Sequence, residues 1–142
     1  MGSPTPILQA FLLADQVYWD RTTGKKVVAG IFFQLKTAKL PALLPQCWAY
    51  ACLTSVPPEF VCRLRLIRLS DQQVLAESPP IAAVHAAGKL IPHEMMIPIP
   101  PIKFEHAGVY EFELLVGDVP LKGWRFSVEL VKVQGDSHAA DS

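Results

Sequence analysis

Four small groups of side chains carry whatever chemistry this sequence offers. His85, His93, Glu94 and His106 lie in or beside a proline-rich connection and could converge on a transition metal. Zinc sites usually carry a tight ligand pair such as H-x₃₋₅-H. The gap between His85 and His93 is longer and runs through a stretch with no readable element, so surface histidines are the expectation. Cys47, Cys52 and Cys62 could include a nucleophile, but a reactive thiolate needs a nearby cation or a helix N-terminus. Cys52 and Cys62 sit among Trp48, Tyr50, Leu64 and Leu66, which favours inert core thiols.

Asp15 and Asp20 could share a cation, yet an odd spacing within one strand puts them on opposite faces. A calcium site also wants six to eight oxygen ligands, and no acidic loop supplies them. Arg63, Arg65 and Arg68, in "RLRLIR", form the one basic cluster and could hold an anion. Glu111, Glu113 and Glu129 are available to neutralise it. No glycine-rich phosphate loop, G-x-S-x-G or H-E-x-x-H occurs. A non-catalytic protein without metal or cofactor is therefore expected.

Bulk composition narrows the classes further. The chain has 142 residues, with 13 Lys plus Arg against 13 Asp plus Glu, so formal net charge is zero. One domain is expected at this length. A nucleic-acid binder would normally show a basic excess, and nothing calls for a membrane surface. Charged residues make up 18%, below the usual quarter or so; a surface so poor in charge favours self-association or a protein partner. Three cysteines, an odd and small number, suit free thiols in a reducing compartment. "MGSPTPILQAFLLADQ" is a poor signal peptide, having no basic residue before a short apolar run. A cytoplasmic protein is expected.

The elements that must position these residues read as strands. Thirteen prolines punctuate runs of β-branched, aromatic and leucine residues, and no stretch has clear helical periodicity. About eight strands are expected, near 8–19, 25–35, 46–55, 60–69, 72–77, 94–99, 108–116 and 123–133. The domain should span 7–133, with flexible ends at 1–6 and 134–142.

The first turn is legible in detail. In "DRTTGK" the Asp20 side chain can accept a backbone N–H two residues on, and Gly24 supplies left-handed backbone. That register sets Asp15 opposite Gly30, Val17 opposite Val28 and Tyr18 opposite Val27. One face then carries Leu12, Ala14, Gln16, Tyr18, Val27, Ala29, Ile31 and Phe33, and is the better core face. The other carries Leu13, Asp15, Val17, Trp19, Lys26, Val28, Gly30 and Phe32. Further along, "CLTSVPPEFVCRL" reads as a hairpin around Pro57–Pro58, with Cys52 facing Cys62 and both inward. In "EHAGVYEFELL", Gly108–Val109–Tyr110 enters a strand whose inward residues are Phe112 and Leu114, as in the tyrosine corner of Greek-key sandwiches.

The segments "LLADQVYWDRTTGKKVVAGIFFQL" and "IPPIKFEHAGVYEFELLVGDVPLKGWRFSVEL" resemble an uncharacterised bacterial family of small all-β proteins, a domain of unknown function. The more specific part is Asp15, Val17, Asp20, Thr23, Gly24 and Lys25, followed by Gly30, Ile31 and Phe32. The resemblance implies a sandwich fold and an intracellular bacterial setting, and supplies no catalytic residue.

Together these readings give an all-β, antiparallel Greek-key β-sandwich of immunoglobulin-like type. The expected function is an interaction or assembly module. Its interface is an outward apolar patch of Leu13, Val17, Trp19, Val28 and Phe32 around Asp15. That patch is covered by a second copy, another protein or another element of the chain. The alternative is a small-ligand-binding sandwich with a pocket near the proline-rich segment 78–101.

Overall fold

The computed structural model describes residues 5–85 and 91–132, and every helix or strand in them is a strand. In chain order these are β1 (Ile7–Trp19), β2 (Lys26–Ile31), β3 (Gln34–Thr37), β4 (Ala42–Leu44), β5 (Cys47–Thr54) and β6 (Glu59–Arg68). They continue as β7 (Gln73–Glu77), β8 (Ile81–Val84), β9 (His93–Ile99), β10 (Ile102–Phe104), β11 (Gly108–Val116) and β12 (Val119–Leu130). The expectation of about eight strands is thus corrected to twelve among the described residues. The additions are short, and one predicted strand, 25–35, is two. The expectations for the chain ends fall outside the described residues, apart from Thr5 and Pro6.

One sheet has the order β2-β1-β5-β9. A larger one has β3-β12-β11-β6-β7, with β8 also on β6, and β10 pairs with β4. The pairing is antiparallel except that β3 runs parallel to β12, so a wholly antiparallel fold is corrected to a mixed one. The chain crosses between the sheets at Phe32–Phe33. Two bonds fix that crossing: Trp124 donates from its indole Nε1 to the Phe32 carbonyl at 2.9 Å, and Ser127 N–H donates to the Phe33 carbonyl at 3.0 Å.

The second predicted hairpin does not form. β5 pairs with β1 and β9, whereas β6 pairs with β11, β7 and β8. Pro57–Pro58 therefore carries the chain from one sheet to the other instead of turning it back alongside itself. Cys62, Leu64 and Leu66 point inward as expected. On β5 it is Cys47, Ala49, Ala51 and Leu53 that are buried, so Trp48, Tyr50 and Cys52 face the other way.

Both large sheets feed one hydrophobic cluster, in which Leu13, Ala49 and Leu53 meet Leu64, Phe112, Leu114 and Phe126. β9 closes one edge of the smaller sheet, and Pro98 within it is compatible with that place, since an edge strand can spare a backbone donor. The Tyr110 expectation holds. The ring is buried, stacked on Phe126 and met edge-on by Phe104. Its hydroxyl donates to the His106 carbonyl at 2.6 Å, tying β11 to the loop before it. Tyr110→Phe should cost about 0.5–1.5 kcal/mol for the lost bond and Tyr110→Ala about 3–5 kcal/mol for the lost ring. Urea unfolding of both variants checks the ordering.

Candidate functional site

The first hairpin has the register read from its turn. Ala14, Gln16, Val17, Tyr18 and Trp19 pair with Ile31, Ala29, Val28, Val27 and Lys26. Thr22 N–H donates to the Asp20 carboxylate at 2.9 Å, and Gly24 has a φ of 73°. The hairpin is not straight. Alternation would place Asp15 and Val17 on Leu13's side, but Asp15 and Gln16 are both exposed between buried Ala14 and buried Val17. Opposite this break stands Gly30, with a φ of 75°. A Cβ added to Gly30 would lie 2.4 Å from Asp15 Oδ2. The carboxylate occupies the space that any other residue would fill.

The distances require the far half of the hairpin to fold back. Ala10 pairs with Cys52, which pairs with Glu94. A straight strand would carry Trp19 about 30 Å past Ala10, at roughly 3.3 Å per residue. Yet Lys26, the partner of Trp19, has its Nζ 3.1 Å from Glu94 Oε1. Glu94 points away from the core, because its neighbour Met95 is buried. The arm formed by residues 16–29 therefore turns at Asp15 and Gly30 and lies over the outer face of its own sheet. This accounts for Val17, which is buried without belonging to the main core cluster.

The arm is held by polar contacts. Tyr50 donates its hydroxyl to Glu94 Oε2, and the Lys26 ammonium sits 5.2 Å over the Trp19 ring, a cation–π contact. The Cys52 thiol donates weakly to Gln9 Oε1 at 3.9 Å. The Tyr50 hydrogen bond, then Lys26, holds Glu94 below the ordinary carboxylate range against the opposing effect of burial. Burial first, and Glu94 second, raises the Tyr50 hydroxyl. Burial likewise raises the Cys52 thiol, against the Tyr50 hydrogen bond. Tyrosine and thiol thus stay protonated near neutral pH, and the cluster works as a clasp.

The predicted interface residues separate in this geometry. Leu13 is fully buried in the main core and Phe32 packs against it, so their outward assignment is corrected. Val17 is buried and Val28 half-buried, while Asp15 and Trp19 are exposed. The face judged to be the better core side is exposed at Tyr18, Ile31 and Phe33. The bend explains the reversal, since a two-residue period cannot run through it. Asp15 is exposed, with its carboxylate lying against Gly30.

Cys52 and Cys62 are not adjacent. Cys62 is buried with its Sγ 3.7 Å from Met95 Sδ, and Cys52 is on the opposite face of the other sheet. Burial pushes both Cys47 and Cys62 up to about 11. The arginines are paired as surface residues: Arg65 with Glu113, Arg63 with Glu77 and Asp118, and Arg68 with Asp71. His85 and His93 do come together, half-buried, whereas Glu94 points to the opposite face. A slot of about 250 Å³ also opens between the sheets, lined by Leu64, Leu66, Ser78, Ile97, Ile99 and Phe112.

Strands without any helix among the described residues, with buried faces packed into one core, make this an all-β protein. Within that class the chain belongs to DUF6941, a family of unknown function whose model matches residues 9–129. No curated protein matches the sequence. No helix in the described residues is long and apolar enough to cross a membrane.

Two outcomes follow from the arm. Gly30→Ala should destabilise by about 1–3 kcal/mol, given its left-handed backbone and the clash with Asp15. Adding Asp15→Ala should recover part of that loss, and denaturant unfolding of the four-member cycle measures the coupling. Acid should release the clasp. A carboxylate with a lowered folded pKa stabilises above its unfolded value, near 4.5 for Glu94, and loses that contribution as pH falls through the folded value. Glu94→Gln should remove this component from the acid-unfolding curve.

Proposed function

We propose that this chain is a non-catalytic interaction module, an immunoglobulin-like β-sandwich that docks through the aromatic end of its folded-back hairpin arm onto a second copy of itself. The observation that carries the reading is the exposure of Trp19 (61%) and Tyr18 (49%) on an arm bent at its base and joined to β9 by the Lys26–Glu94 ion pair. Large aromatic residues are enriched in the centres of protein interfaces. A clasped arm also loses little conformational freedom on binding, which is a main cost of association.

Several features support the immunoglobulin-like part. Tyr110 bonds back to the loop before β11, the tyrosine-corner arrangement at the entry to a late strand. The order β12-β11-β6-β7 against β1-β5-β9 has the layout of such sandwiches, with β5 to β6 crossing between sheets. Three cysteines without disulfides favour a reducing compartment such as the cytoplasm.

A second reading has one specific observation behind it. The slot between the sheets borders Ser78, Pro79, Pro98 and Pro100, within the proline-rich stretch expected to wall a pocket. Its volume falls a little short of the roughly 300 Å³ at which small-molecule pockets usually begin, which favours the docking reading. Fluorescence enhancement of an apolar dye, lost in Leu66→Trp, would mark the slot as open to ligands.

Sedimentation separates the readings. The module should show a concentration-dependent mass above the 15.7 kDa of one chain, falling toward that value in Tyr18→Ser, which keeps the Trp19–Lys26 contact and with it the thermal stability of the parent. A parent protein that stays at one-chain mass, with Trp19 freely quenched by acrylamide, would contradict the proposal.

A further inference from the structure

His85 follows β8 directly and His93 opens β9, and the two imidazoles meet with their Nδ1 atoms 3.3 Å apart. Both residues are anchored in the fold. His85 N–H donates to the Pro58 carbonyl at 2.8 Å, fixing its backbone against the crossing between sheets. His93 pairs with Leu53 on β5, and its ring meets Phe60 edge-on at 5.1 Å. The His85 and His93 rings are themselves nearly perpendicular, at 76°.

The separation has a simple geometric meaning. Two imidazole nitrogens about 2.0–2.1 Å from one zinc ion, at a tetrahedral angle, lie roughly 3.3–3.4 Å apart. The two nitrogens also stand within hydrogen-bond reach of one another when one ring donates and the other accepts. The pair already stands at ligand-to-ligand spacing.

We propose that His85 and His93 form a two-nitrogen site for a divalent transition ion that favours imidazole, zinc being the representative. No third His, Cys, Asp or Glu joins them among the described residues, so the remaining positions go to water or exchangeable ligands. The site is open and its metal exchangeable, unlike the closed four-ligand sites that hold a fold together. The eight-residue spacing hid the pair from sequence reasoning, because it is the pairing of β8 with β6 and of β9 with β5 that brings the rings together.

The test is a titration of the metal-free full chain with zinc chloride at pH 7.5, read by calorimetry and by imidazole ¹⁵N shifts. The site should half-saturate below about 0.1 mM with one ion per chain. The Nδ1 resonances of His85 and His93 should move and those of His106 should not. His85→Gln should weaken binding at least tenfold, and His106→Gln should leave it unchanged. Absence of binding below that concentration, equal binding by His85→Gln, or shifts confined to His106 would each overturn the assignment. The ¹⁵N readout uses the unaltered protein, so the test stands even if a variant folds poorly.

Discussion

The outer surface of this molecule is shaped by a contact between a carboxylate and a missing side chain. Asp15 lies against Gly30 so closely that no Cβ fits between them, and Gly30 takes a backbone conformation that other residues rarely accept. At this point the first hairpin stops being a flat extension of its sheet. Before the bend, Phe11 and Leu13 serve the main core. Beyond it, Val17 is buried outside that core and Lys26 reaches Glu94. Among the described residues Asp15 joins no group of side chains that could hold a metal ion.

Consequences of the bend run in both directions along the chain. Toward the turn, Lys26 reaches Glu94 and so joins the arm to β9 across a sheet in which β2 and β9 are opposite edges. An exposed ion pair alone contributes little, about 0–1 kcal/mol. Here it acts together with the Tyr50 hydroxyl, the Trp19 ring and the burial of Val17. Away from the turn, the chain leaves Gly30 and crosses at Phe32–Phe33 to the other sheet, where Trp124 and Ser127 receive it. Two hydrogen bonds therefore tie the end of the early hairpin to the last strand.

Local geometry is legible in this sequence and long-range geometry is not, for identifiable reasons. The "DRTTGK" turn names its own geometry, so the register of β1 with β2 followed. Gly108–Val109–Tyr110 likewise announced a corner that depends on residues only four apart. The facing of Leu13 and Phe32 was inverted because strand alternation assumes a straight strand. "TSVPPEF" has the residues of a hairpin turn, but whether a chain turns back or crosses to another sheet depends on which neighbours are waiting. That choice is not encoded locally, and Cys52 was misplaced with it. The strands β3, β4, β8 and β10 are three or four residues long, too short for a period to show. The histidine pair is wholly tertiary and left no pattern.

The claim on which this account rests most is that the arm folds back on its own sheet within one chain. Zero-length carbodiimide cross-linking followed by peptide mass spectrometry tests it directly, because the reaction joins only a lysine and a carboxylate already in contact. The account predicts a Lys26–Glu94 amide formed within single chains, with a yield independent of protein concentration and absent from Gly30→Val, where a branched side chain would force the bend open. Failure of Lys26 to couple to Glu94, or a yield that rises with concentration and appears only in dimer-sized species, would contradict it.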